Sequence, residues 1–302
     1  MTKPLILLFG SSGQVAQEIR QRAADRGVAV RALSRTDADL TDAEALTQAF
    51  VSASDDVVAV VNAAAYTAVD AAEDDPDTAH SVNALAPGIM ARCCAERGLP
   101  FIHLSTDYVF DGSASGAYRE TDPVAPLGVY GVTKQAGEQA VLDALPSAII
   151  LRTAWVFSAH GKNFVRTMLR LAAERDSLGV VDDQRGCPTP ASSIAEAVLT
   201  IIGRWYSGQG AAGGIFHFCG STPVSWKEFA DAIFSISAEY GCAVPKVAPL
   251  ATAQFPTRAR RPANSVLDCG KILREWGIAP ADWQASLKRD IEVILKSEPL
   301  GG

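Results

Sequence analysis

With 302 residues, 48% of them hydrophobic and 20% charged, the chain has apolar material for one large α/β domain or one and a half domains. A net charge of −7 and the lack of a lysine-rich stripe argue against a nucleic-acid partner, and the apolar run 5–9 is far too short to span a bilayer. Six cysteines (Cys93, Cys94, Cys187, Cys219, Cys242 and Cys269) form no CxxC pair and no zinc spacing with histidine, so they read as reduced core residues of a cytoplasmic protein.

In chain order, apolar β runs fall at PLILLFG, VAVRALS, VVAVVNAAA, LPFIHLSTDYVF and SAIILRTAWVF. Helical patterns near 14–26, 42–53, 77–97 and 130–145 separate them. Two helix starts carry a capping-box pattern, Thr41 with Glu44 and Ser225 with Glu228. Strands that are apolar on both faces and joined by single helices predict a Rossmann-type, doubly wound parallel sheet. Ligands bind such sheets beyond the carboxyl ends of the strands, so 10–16, 62–67, 105–110 and 152–157 should face one crevice. After residue 160 the alternation loosens. A helix near 161–175, the segment LGVVDDQRGCPTP, another helix, the strand GIFHFCG, a helix from Ser225 and the closing PADWQASLKRDIEVILK follow. This half reads as a smaller, interleaved C-terminal substrate domain: residues 1–157 and 189–220 bind the dinucleotide, and 158–188 and 221–302 bind the substrate. The N-terminal residues lack the features of a secretory signal, and disorder is expected only at the tip KSEPLGG.

Between the first strand and helix stands GSSGQVA, with Gly10, Gly13 and Ala16 in a GxxGxxA pattern. Gly10 permits a tight turn, Gly13 a close approach of backbone to pyrophosphate, and Ala16 close packing of helix on sheet. Ser11, Ser12, Gln14 and Val15 complete that phosphate-binding turn; the plain alternative is an ordinary tight βα turn. At the end of the second strand, where NAD binders commonly carry an acidic residue, the chain has Ser34 and Arg35. A guanidinium there suits the 2′-phosphate of NADP, so NADPH is favoured and NADH stays open. Asp39 and Leu40 follow where the adenine edge would lie, and Ala63, Ala64 and Ala65 would line the crevice or simply pack the strands closely.

Tyr130 and Lys134 lie four apart on a predicted helix and so share a face. A phenol is a poor acid or base near neutrality unless its pKa moves, and a neighbouring ammonium would lower it. Ser105 and Thr106 end the preceding strand and supply a hydroxyl that could polarise a carbonyl while a nicotinamide delivers hydride.

Together, GxxGxxA, NAAA at 62–65, STDYVFDG at 105–112 and YxxxK resemble the extended short-chain dehydrogenase/reductases. More narrowly, NAAAYTAVDAAE, ETDPVAPLGVYGVTK, LRTAWVF, VVDDQRGCPT and FPTRARRPANSVLD are similar to the dTDP-4-dehydrorhamnose reductase family. That resemblance spans Gly10 to Trp283 and implies NAD(P)H-dependent reduction of the C4 ketone of a dTDP-6-deoxy-4-hexulose. It implies Tyr130 as the acid and Lys134 as the residue lowering its pKa and holding the nicotinamide ribose. Thr106 would polarise the ketone, Thr106 and Asp107 would contact the sugar, Trp155 would lie against the substrate and Arg260 would meet the nucleotide phosphates.

Some members of that family bind a divalent cation at a dimer contact through glutamates. Glu18 and Glu292 could match two such ligands, but Ser192 stands where another is expected, a set too poor in carboxylates to hold Mg²⁺ well. The metal and a homodimer are therefore left open. Tyr66 is larger than expected beside TAVD. Two rivals remain: a reductase, epimerase or dehydratase of another sugar nucleotide, and a non-catalytic regulatory subunit. Tyr108 after Asp107 disfavours elimination, and the intact Thr106, Tyr130 and Lys134 favour catalysis.

Overall fold

The computed structural model describes residues 4–297; the tip expected to be disordered lies, beyond Ser297, outside the described residues. Five strands and their crossover helices build the first half: β1 (Leu5–Phe9), α1 (Gln14–Asp25), β2 (Ala29–Leu33), α2 (Ala43–Val51), β3 (Val57–Asn62), α3 (Val69–Ala72), α4 (Pro76–His80), α5 (Ala86–Arg97), β4 (Phe101–Thr106), α6 (Val129–Ala144) and β5 (Ile149–Thr153). The second half contributes β6 (Val156–Phe157), α7 (Phe164–Glu174), β7 (Ser177–Val181), β8 (Arg185–Gly186), β9 (Thr189–Pro190) and α8 (Ala191–Tyr206). It ends with β10 (Gly214–His217), β11 (Val224–Ser225), α9 (Trp226–Ala238), β12 (Lys246–Leu250), α10 (Gly270–Trp276) and α11 (Trp283–Ser297).

Six strands form one parallel sheet in the order β10-β5-β4-β3-β1-β2. Alternate residues of β1 feed opposite faces: Ile6 and Leu8 join the core under α1 and α8, Leu7 and Phe9 the core under α2, α5 and α6. All four are at most 1% exposed, and burying each stabilises the fold by roughly 1.5–3 kcal/mol. The strand order reverses between β1 and β3, which opens a crevice at their carboxyl ends.

A third core gathers α7, α9, α11 and β7 around Phe157, Phe229, Trp283 and Ile291. Here β7 pairs with β12, β8 with β11 and β6 with β9. The chain then returns: α10 lays Ile272 and Trp276 into the first core.

Two local expectations are corrected. Asp42, not Thr41, caps α2, accepting from the amides of Glu44 and Ala45, because Thr41 is itself bound to the Asp39 carboxylate through its amide and hydroxyl. The single helix expected over 77–97 is broken by a π turn at Ser81–Leu85. Pro87 has no N–H to give the Asn83 carbonyl one turn back, so the regular ladder cannot run through. The capping box of Ser225 and Glu228 forms as expected.

Candidate active site

Gly10 leaves β1 at φ +99°, and a Cβ there would lie 3.3 Å from the backbone of Ala63 and Ala64. Only glycine combines that conformation with that closeness of β3. Gly13 is the N-cap of α1 and brings no side chain to its first turn, which leaves the helix amides open to an anion. A cavity of about 270 Å³ follows from this turn, lined by Gly10, Ser11, Ser12, Gly13, Arg35, Asp39, Leu40 and Ala63 to Ala65. An adjoining cleft of about 370 Å³ is lined by Gln14, Val15, Ala63 to Ala65, Ser105, Tyr130, Lys134, Thr153 and Lys162. The two share Ser12, Gly13 and the three alanines, and so continue one into the other. Gln14 fixes the far wall: its Oε1 accepts from Ser158 Oγ and Asn163 Nδ2, each at 2.9 Å. The strand-end segments expected to converge do so around these two cavities.

Tyr130 and Lys134 enter the cleft from the first turns of α6. The helix approaches the turn after β4 closely enough that a Cβ on Gly131 would lie 2.2 Å from the Tyr108 carbonyl. Its N-cap, Gly128, has no side chain to offer; Glu73, just after α3, accepts the Val129 amide at 2.8 Å instead. Thr106, 5% exposed, hydrogen-bonds the Tyr130 phenol and donates to Asp107 Oδ1 at 2.9 Å. Burial pushes Asp107 up to about 6 against the Ser265 and Thr106 hydroxyls, which lower it, and its buried Oδ2 makes no well-formed hydrogen bond within the protein.

The expected lowering of the Tyr130 pKa is overturned. Burial pushes the phenol up to about 12, only partly offset by Thr106. Lys134 does not reach it electrostatically, because Nζ is turned to β4, where it donates to the Leu104 carbonyl at 2.7 Å and lies 3.2 Å from His103 Nε2. Burial brings Lys134 itself down to about 8, against the opposing pull of Glu138. The site thus holds a protonated phenol, suited to giving a proton to an oxyanion.

A third cavity of about 510 Å³ lies on the smaller half, lined among others by Phe164, Leu178, Gln184, Trp226, Phe255 and Arg261. The sequence points to Trp155 and Arg260 for the substrate. Trp155, at φ +47°, instead stacks behind Trp226 with ring centres 3.5 Å apart, and Arg260 is exposed while its neighbour Arg261 lines the cavity. Arg261 is held by Asp70, with Nη2 to Oδ2 at 2.7 Å, and reaches Tyr108, whose ring meets Tyr130 edge-on at 5.9 Å. Trp226 stands within the Ser225–Glu228 capping box, which marks a helix start and no ligand, so its place in the cavity could be found only by knowing that α9 folds back on α7.

Glu18 and Glu292 are not brought together as metal ligands. Glu18 is buried and paired with Arg22 at 3.2 Å, while Glu292 faces outward to Lys296. Arg289 donates to Ser192 Oγ, and among the described residues no group of three or more His, Cys, Asp or Glu is arranged to hold a metal ion. These residues do not fit Mg²⁺. It is Asp290, on the inward face of α11, that lies beside Glu18.

The chain matches the RmlD substrate binding domain over residues 3–295. It is 43% identical to the dTDP-4-dehydrorhamnose reductase of Aggregatibacter actinomycetemcomitans, an alignment covering 94% of this chain and 97% of that protein. Among solved structures, that of a dTDP-4-dehydrorhamnose reductase from Clostridium acetobutylicum superimposes with a TM-score of 0.88 at 35% identity, covering 96% of this chain and 99% of the other. One from Bacillus anthracis in complex with NADP gives 0.87 at 29% identity, covering 98% of this chain and all of the other. With a crevice, a phenol and a sheet order of this kind over its whole described length, the chain belongs to the dTDP-4-dehydrorhamnose reductase family.

Proposed function

We propose that this protein reduces the C4 ketone of dTDP-4-dehydro-6-deoxy-L-mannose to dTDP-L-rhamnose, the last step in making that sugar nucleotide, with NADPH as the preferred donor. The observation that carries the reading is that half-buried Tyr130 and buried Lys134 face a cleft that runs on into the cavity of the glycine turn, where desolvation favours the protonated phenol. When bound, the dinucleotide supplies a hydride to the ketone carbon. Gly10 to Val15 would hold its pyrophosphate, Arg35 its 2′-phosphate, Asp39, Leu40 and Ala63 to Ala65 the adenosine side, and Lys134 the nicotinamide ribose. Thr106 would turn its hydroxyl from Asp107 to donate to the ketone oxygen, and Tyr130 would give that oxygen its proton as negative charge develops there. Asp107 Oδ2, buried without a well-formed hydrogen bond, suits a sugar hydroxyl. The aromatic and arginine-lined cavity of Phe164, Trp226 and Arg261 suits a nucleobase and its phosphates.

In this reading, 1–157 and 189–220 bind the dinucleotide and 158–188 and 221–302 the sugar nucleotide, with α10 returning to the sheet. Six free cysteines support a reducing, cytoplasmic setting, and no described helix is long and apolar enough to cross a membrane. The test is NADPH oxidation followed at 340 nm with the enzymatically generated 4-keto sugar nucleotide, and product identification by NMR. Formation of dTDP-L-rhamnose is expected, with a fall in kcat of about a hundredfold or more in Tyr130→Phe and little change in NADPH affinity. Cofactor binding without turnover would overturn the substrate assignment, and full activity in Tyr130→Phe would remove it as the acid.

A further inference from the structure

Among the fully buried polar side chains to which the chemistry above gives no task are Asn62 and His103. They stand in line with Lys134. Asn62 Oδ1 accepts the Ala64 amide at 3.1 Å, Asn62 Nδ2 lies 3.1 Å from His103 Nδ1, and His103 Nε2 lies 3.2 Å from Lys134 Nζ. The row runs from the backbone of the dinucleotide crevice to the lysine of the cleft.

While Asn62 keeps its bond to Ala64, the row has one self-consistent arrangement of protons. Only the amide oxygen can accept the Ala64 N–H, so the Asn62 NH₂ group faces the imidazole. His103 Nδ1 must then accept, which puts the proton of the neutral ring on Nε2. That N–H points at Lys134. The lone pair of an amine can receive it, whereas an ammonium has only hydrogens to present.

We propose that His103 is a positioning residue that, locked by Asn62 with its proton on Nε2, offers a hydrogen-bond donor to Lys134 and favours the free amine over the ammonium. Burial and the neighbouring Lys134 hold His103 well below its ordinary value, so the ring stays neutral. The Leu104 carbonyl accepts from Lys134 Nζ at 2.7 Å, and the other titratable groups around the lysine are Tyr130 one turn back on α6 and Glu138 one turn on. Glu138 favours the ammonium but is itself tied to Ser105 of β4 and to Arg152 of β5 at 2.6 Å. The consequence is a lysine that releases its proton easily. After Tyr130 protonates the substrate oxygen, the phenolate recovers a proton from the Lys134 ammonium through solvent of the shared cleft rather than by direct contact, and the resulting amine is met by His103 Nε2–H.

The kinetic part of this inference rests on the proposed reductase reaction, but the proton position is readable without substrate. With ¹⁵N-labelled histidine in the full chain, long-range ¹H–¹⁵N correlation distinguishes the tautomers, and His103→Gln assigns the signal among the four histidines. Nε2–H is expected in the parent protein; Nδ1–H would overturn the proposal. Asn62→Asp, nearly isosteric and ionised beside the imidazole, still accepts from Ala64 but accepts from Nδ1–H as well. The tautomer should switch, baring Nε2 to the ammonium. The high-pH limb of kcat should move up by about one pH unit or more, about a tenfold gain in relative activity above it. Should the sugar nucleotide not be turned over, the same change is read on the ¹⁵Nζ titration of Lys134. A folded Asn62→Asp protein that keeps the parent tautomer, or switches it without moving Lys134, sinks the idea. If that variant does not fold, the parent tautomer decides alone.

Discussion

Tyr130 owes its protonated state to its surroundings: burial raises it and the Thr106 hydroxyl lowers it in part. The proposed reduction would need the acid form at neutral pH, and burial would hold the phenol in it, with the Lys134 ammonium only restoring the proton afterwards. Arg35 lies on the rim of the cavity proposed for the adenosine side. Ser34 beside it is already committed to Asp37, through its amide at 2.8 Å and its hydroxyl, which leaves the guanidinium to meet an added phosphate. Arg35→Ala should therefore weaken NADPH binding by about tenfold or more while NADH changes little. Titration calorimetry with both dinucleotides checks this, and an equal loss for the two would remove Arg35 from the 2′-phosphate.

At the scale of elements, the four-residue α3 and the turn after it bind three separate parts of the site. Asp70 holds Arg261, Asp74 pairs with Arg258, and Glu73 caps α6 directly before Tyr130. A carboxylate at that helix start both satisfies an orphan amide and favours the positive end of the helix dipole. Glu73→Ala should cost about 1 kcal/mol of stability and lower kcat while leaving NADPH affinity close to the parent's. Glu73→Gln, which keeps an acceptor, should recover most of both in thermal melts and turnover assays. Unchanged kcat in Glu73→Ala would show that α6 holds Tyr130 without this cap. The motif TAVDAAE was legible as a signature, but its work was not, since its partners lie about 55 and 190 residues away in sequence.

For the whole molecule, α1 of the sheet half meets α11 of the smaller half at Glu18, Asp290, Arg22 and Arg289. Asp290 is 5% exposed, and burial, reinforced by Glu18, pushes its carboxyl up to about 7 while Arg289 and Arg22 pull the other way. An acid whose folded pKa is raised adds stability at low pH that is lost as pH climbs from its unfolded value through the folded one. This junction should thus weaken between about pH 4 and pH 7, losing about 1.4 kcal/mol for each pH unit crossed in that window. Asp290→Asn should be more stable than the parent at pH 8 and nearly equal to it at pH 4. Denaturant melts at the two pH values test this, and equal changes at both would show that Asp290 does not titrate there.

The parallel sheet, the glycine turn, and Tyr130 and Lys134 on one helix face were all determined by the sequence, because each depends on local periodicity or spacing within a few residues. The family motifs were likewise contiguous strings. Only the tertiary structure decided which arginine faces the cavity, which tryptophan lines it and which carboxylate meets Glu18. It also decided that Lys134 turns to His103 rather than to Tyr130. Those outcomes depend on how α6, α9 and α11 rotate about their axes as they pack, and on how deeply each group is buried. Both are set by contacts between residues far apart in the chain, which no spacing along it records.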